Sequence, residues 1–142
     1  MLPRFDEYCR LIAGLPDEFP SIQVSTLTVY TIGPFAAEVE GRLTFEGGCV
    51  LNVWELLDLS TGSIRNYSYE LDCAGERVWW YDPTEHPGDP ALQSSFPHHK
   101  HIGPDIKHHR LPVPEISFTH PNLLTLIKEV ERLLESRSAG NR

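Results

Sequence analysis

The chain has 142 residues, 40% of them apolar, and a formal net charge of −8. A chain of this length and apolarity can bury a core of its own, which excludes a disordered polypeptide and one that needs a metal or a disulfide to fold. The negative balance opposes sequence-independent nucleic-acid binding over the whole surface, and no apolar run approaches the roughly 18 residues of a membrane span.

Charge is unevenly spread. Residues 1–97 hold 5 Lys and Arg against 15 Asp and Glu, whereas residues 98–142 hold 7 against 5. Five of the seven histidines fall between 98 and 109. Screening confines electrostatic fields to about 8 Å at physiological salt, so a local cationic site is compatible with an acidic chain. The first eight residues carry charges where a signal peptide needs an apolar stretch. Cys9, Cys49 and Cys73 are far apart and form no Cys-x-x-Cys pair, so neither a disulfide framework nor a zinc knuckle is expected. The expected setting is the reducing cytosol.

The elements follow in chain order. Phe5, Tyr8, Leu11, Ile12 and Leu15 recur at helical spacing, which predicts a helix over 4–14, stopped by Gly14 and Pro16. Residues 22–32 are rich in β-branched types with imperfect alternation. Residues 36–46 alternate cleanly, with Ala37, Val39, Leu43 and Phe45 against charged and polar neighbours, as in a strand with one wet face. Glu46-Gly47-Gly48 turns into 49–59, Ser60-Thr61-Gly62 into 64–73, and Ala74-Gly75 into 76–82. Alternation over 64–73 puts Tyr67, Tyr69 and Leu71 on one face. It also predicts that one of Trp79 and Trp80 is buried and the other is not. Short turns make sequential strands antiparallel neighbours.

From Pro83 to Pro114 prolines interrupt regular structure, and this stretch reads as a long, ordered, functional loop. Leu123, Leu124, Ile127, Val130, Leu133 and Leu134 predict a closing helix over 121–136, with Thr119 or His120 as its cap and 137–142 as a frayed tail. The expected fold class is α+β. A single domain, 1–142, would carry an antiparallel meander of about five strands, with an N-terminal and a C-terminal helix packed on it.

Phe96-Pro97-His98-His99-Lys100-His101 is the strongest chemical signal. Histidine exchanges protons near neutrality, and Lys100 adds a positive charge. If the stretch is extended, His99 and His101 face one way while His98 and Lys100 face the other. The bland alternative is a solvated loop whose histidines bond backbone carbonyls. Imidazole also binds zinc, nickel and copper, and Asp82, His86, Asp89 or Asp105 could complete a ligand set. The spacing is not His-Glu-x-x-His, however, so the favoured reading holds no metal and no cofactor.

That favoured reading is acid–base cleavage of RNA. His98, His99 and His101 would share the proton transfers, and Lys100 or Arg110 would offset phosphate charge. Tyr81 and Asp82, at a strand end that opens into the loop, would position a histidine tautomer. Tyr67, Tyr69 and Trp80 could stack on unpaired bases, and His86, Lys107 and Arg110 could contact the backbone.

The order Tyr67-Ser68-Tyr69, Trp80-Tyr81-Asp82, His86-Pro87, then Phe96-Pro97-His98-His99-Lys100-His101 resembles the TumE-like family of toxins from toxin–antitoxin pairs. The layout of leading helix, strands, histidine segment and closing helix is similar as well. In the family, Tyr-Asp leads quickly to His-His-Pro; here Tyr81 to Pro87 keeps one histidine, His86. The resemblance implies toxicity and neutralisation by a co-encoded DNA-binding antitoxin, expected as a small helix-turn-helix protein. The function expected is a type II toxin acting as a metal-independent endoribonuclease. The alternatives are a non-enzymatic inhibitor that occludes its target and a metal-dependent hydrolase using the same histidines.

Overall fold

The computed structural model describes residues 1–140. Helix α1 (Phe5–Ala13) buries Tyr8 and Ile12, and its first-turn Asp6 and Glu7 complement the helix dipole. Gly14 ends it, and a single further turn, α2 (Leu15–Glu18), buries Leu15.

Eight strands follow: β1 (Ile22–Ser25), β2 (Thr28–Ile32), β3 (Ala36–Phe45), β4 (Cys49–Asp58), β5 (Ser63–Cys73), β6 (Glu76–Asp82), β7 (His99–Ile102) and β8 (Arg110–Pro112). They form one antiparallel sheet, with β1 and β2 both on β3 and then β4, β5, β6, β7 and β8 in order. The meander is as expected, but it has more than five strands. The imperfect stretch 22–32 is two strands laid end to end along β3. β7 and β8 lie inside the proline-rich segment, where four and three residues are too few to show a pattern.

The break between β1 and β2 has a visible cause. Gly41 in β3 has φ +139, and a Cβ there would stand 2.4 Å from the Thr26 carbonyl oxygen. The chain crosses closely at that point, held by Thr26 N–H to Arg42 O (2.9 Å) and Arg42 N–H to Thr26 Oγ1 (3.0 Å).

Helix α3 (Leu123–Gly140) covers the sheet through Leu123, Leu126, Ile127 and Val130. Asn122 directly precedes it, rather than Thr119 or His120. It runs past the expected end at 136, and residues 141–142 of the expected tail lie outside the described residues. The helices share one face of the sheet. Tyr8 donates to buried Glu55 on β4 (2.5 Å), as does Tyr69 on β5 (2.5 Å), and Asn122 donates to the Tyr69 hydroxyl (3.1 Å). Leu43, Phe45, Leu51, Leu57, Ile64 and Leu71 fill the core between them.

The expectation of unpaired cysteines is corrected. Cys49 and Cys73 are joined by a disulfide. They are 24 positions apart in sequence but directly opposite in the β4–β5 register, with 4.1 Å between their Cα atoms. Cys9 is free. No helix among the described residues is long and apolar enough to cross a membrane.

Candidate functional site

Strand alternation builds the site. Trp79 and Tyr81 of β6 face the helices, so Trp80 and Asp82 face the other way. Trp79 is buried and Trp80 half-buried, as alternation requires. On β7, paired to β6 with Trp80 opposite His101 and Asp82 opposite His99, the two histidines take the same face as Asp82. The loops of 83–98 and 103–109 flank this pair of strands. His99 is 0% exposed, His101 4% and Asp82 6%, so the histidines lie on a strand within the fold rather than on a solvated loop.

The three side chains converge. His99 Nε2 lies 3.1 Å from Asp82 Oδ1, His101 Nε2 3.0 Å from Asp82 Oδ2, and the two Nε2 atoms 3.0 Å from each other. His99 Nδ1–H donates to the Pro97 carbonyl at 3.0 Å, which fixes its tautomer and turns Nε2 toward the trio. Burial pushes the Asp82 carboxyl up, but hydrogen bonds from His99 and from the Thr84 N–H (2.8 Å) outweigh it and hold the pKa at about 2. Burial lowers both histidines. At His99 the bonds to Asp82 and Pro97 win and raise it, whereas at His101 burial wins.

A pocket of about 290 Å³ opens at Asp82 and His101, lined also by Trp80, Thr84, His86, Lys107, His108 and Arg110, with His99 buried behind them. Among the described residues, three buried side-chain nitrogens lack a hydrogen-bond partner: Trp80 Nε1, His101 Nδ1 and Arg110 Nε. All three belong to residues that line this pocket. The Trp80 ring stacks on His101 with centroids 4.3 Å apart, and the His86 ring stands edge-on to His99 at 4.9 Å. Burial, together with the positive charge of Arg110, lowers His86.

Other residues singled out in the sequence fall elsewhere. Lys100 points to the helical face and pairs with Glu129 of α3, which also accepts from the Tyr81 hydroxyl. Tyr81 therefore adjoins Asp82 in sequence but not in the site. Tyr69 is 0% exposed, with its hydroxyl on Glu55, and offers no stacking face. Tyr67 is 1% exposed, and its hydroxyl bonds His98 Nδ1 at 2.5 Å, so His98, expected to act with His99 and His101, lies apart from them. Asp89 bonds the Ala91 N–H, and Asp105 pairs with His108 on the exposed loop. Thr84 and His108 join the pocket without having been expected there, because neither polar loop residue carries a periodic signal.

No curated protein and no solved structure matches the chain. The family model described as Toxin TumE does match, over residues 12–135, a span that contains the trio and every residue of the pocket above it. With most of the chain covered, the protein belongs to the TumE toxin family.

Proposed function

We propose that this toxin acts on RNA, cleaving its phosphodiester backbone at the pocket above Asp82, His99 and His101. The observation that carries this reading is a single pocket whose lining brings together His86, His101, Lys107 and Arg110. Two residues of that lining, Trp80 and Arg110, also hold a buried N–H donor with no partner, each a cost of about 1–3 kcal/mol, which favours acceptor groups at this end of the sheet. Lys107 and Arg110 make the wall cationic in a chain of net charge −8, which favours an anionic acceptor such as phosphate.

Backbone cleavage by the 2′-hydroxyl requires a base for its proton, an acid for the 5′ oxygen and positive charge beside the phosphorane. The buried trio is where the phosphate is activated in this reading. His86, on the wall and in contact with His99, exchanges protons, and Lys107 and Arg110 offset charge. Lys100 has no part, because Glu129 holds it on the opposite face.

The test is incubation of the purified chain with a molar excess of single-stranded RNA. Multiple turnover is expected, and Arg110→Ala with Lys107→Ala is expected to reduce the rate by at least tenfold while the fold persists. Stoichiometric binding without cleavage would instead make the toxin an occluding inhibitor. Absence of any interaction with RNA would remove the reading.

A further inference from the structure

We infer that Asp82, His99 and His101 form a binding site for one divalent transition-metal ion. The argument starts from distances. Donors held about 2.1 Å from one ion are separated by about 3.0 Å in an octahedral set and about 3.4 Å in a tetrahedral one. Here the two Nε2 atoms are 3.0 Å apart, and each faces its own oxygen of Asp82, His99 Nε2 at 3.1 Å from Oδ1 and His101 Nε2 at 3.0 Å from Oδ2, so the carboxylate spans both nitrogens and offers the ion either oxygen or both. The three residues offer ligand atoms that all lie within 4.8 Å of one another.

Proton bookkeeping points the same way. His99 Nδ1–H is committed to the Pro97 carbonyl, so in its neutral form Nε2 presents a lone pair. Asp82 presents only lone pairs. A proton on His101 Nε2 can point at one of these atoms but not at both. It would also leave His101 Nδ1 as a buried acceptor with no donor within hydrogen-bond geometry and only the Ile106 backbone nearby, which favours a proton on that ring. A cation among the three takes both Nε2 lone pairs and an Asp82 oxygen at once and leaves Nδ1 of His101 as an N–H donor.

The surroundings are those of a prebuilt centre. The histidines sit at alternate positions of one strand and the carboxylate on its neighbour, so backbone pairing sets their spacing before any ion arrives. The Pro97 carbonyl orients one ligand, and the Trp80 ring packs on the other. The protein supplies three ligands, and the pocket lined by Asp82 and His101 leaves the remaining positions to water or substrate, the pattern of catalytic rather than structural metal sites. Two imidazoles and one carboxylate suit zinc, manganese, iron(II) or nickel better than magnesium or calcium, which favour all-oxygen sets. The site stands on this geometry alone. Its use on RNA, polarising a phosphate oxygen, rests on the reading proposed above.

The experiment uses the full chain, stripped with chelator and titrated with Co²⁺ and Zn²⁺. Calorimetry and the visible Co²⁺ spectrum are expected to give one ion per chain at micromolar affinity or tighter, and the ion is expected to raise the melting temperature. Asp82→Asn and His101→Ala should each weaken binding at least tenfold, whereas His109→Ala with His120→Ala, both exposed, should leave it unchanged. X-ray absorption of the Zn²⁺ form of the unaltered chain should show two imidazoles, and it decides the matter if either variant fails to fold. Absence of binding, binding that survives both trio variants, or binding lost with His109 and His120 would overturn the inference. RNA turnover by the metal-free chain would also leave the RNA reading standing without the ion. Ion binding without turnover would do the reverse.

Discussion

Glu55 is the residue whose burial has the clearest measurable consequence. It is 0% exposed, in the middle of β4, with hydroxyl donors from Tyr8 and Tyr69. Burial raises its pKa, and the two tyrosine hydrogen bonds only partly oppose this. The folded state therefore holds the proton to higher pH than the unfolded chain does. The resulting stability is complete below the ordinary glutamate range and is lost as pH rises through the raised folded value. Glu55→Gln keeps an acceptor for one tyrosine and removes the titration. The difference in melting temperature, variant minus wild type, is expected to grow in favour of the variant between pH 4 and pH 7. A difference that is flat with pH would show that Glu55 titrates alike in both states.

At the scale of elements, Gly41 decides how β1 and β2 share one edge of β3. Its φ of +139 and the 2.4 Å approach of the Thr26 carbonyl leave no room for a side chain. Gly41→Ala is expected to destabilise by more than about 1 kcal/mol, because backbone rather than a flexible side chain must give way. Chemical denaturation measures it, and a midpoint equal to wild type would mean that the crossing is loose.

The same elements show how far the sequence could be read. β3, β4, β5 and β6 were legible because each has one wet face and a short turn, and the turn at Ala74-Gly75, with φ of 51 and 81, is one that favours hairpins. β7 and β8 were not legible, being short and bounded by prolines. The alternation argument still placed His99 and His101 on one face, and the same argument put Lys100 on the other, where Glu129 of α3 claims it. Glu129 and the disulfide partners Cys49 and Cys73 depend on contacts between elements, for which local periodicity carries no signal. Asp82 was legible as a strand-end residue, but its place beneath both histidines needed the β6–β7 register.

At the scale of the molecule, the helices stabilise one face of the sheet while the other face, at its β6–β7 end, carries the trio. The histidines there are part of the packing. Truncating His99 leaves the buried Asp82 carboxylate short of a partner, a loss of about 1–3 kcal/mol, more than a loop histidine would cost. Asp82→Asn is the gentler probe, since it keeps the size of the side chain and an oxygen for the Thr84 N–H. The most direct measurement of the central claim is growth of cells induced to express the chain without an antitoxin, comparing wild type with Asp82→Asn at equal levels of folded protein. Wild type is expected to arrest growth and Asp82→Asn to relieve the arrest. Equal arrest by a folded Asp82→Asn variant would contradict the account and place the toxic surface away from Asp82, His99 and His101.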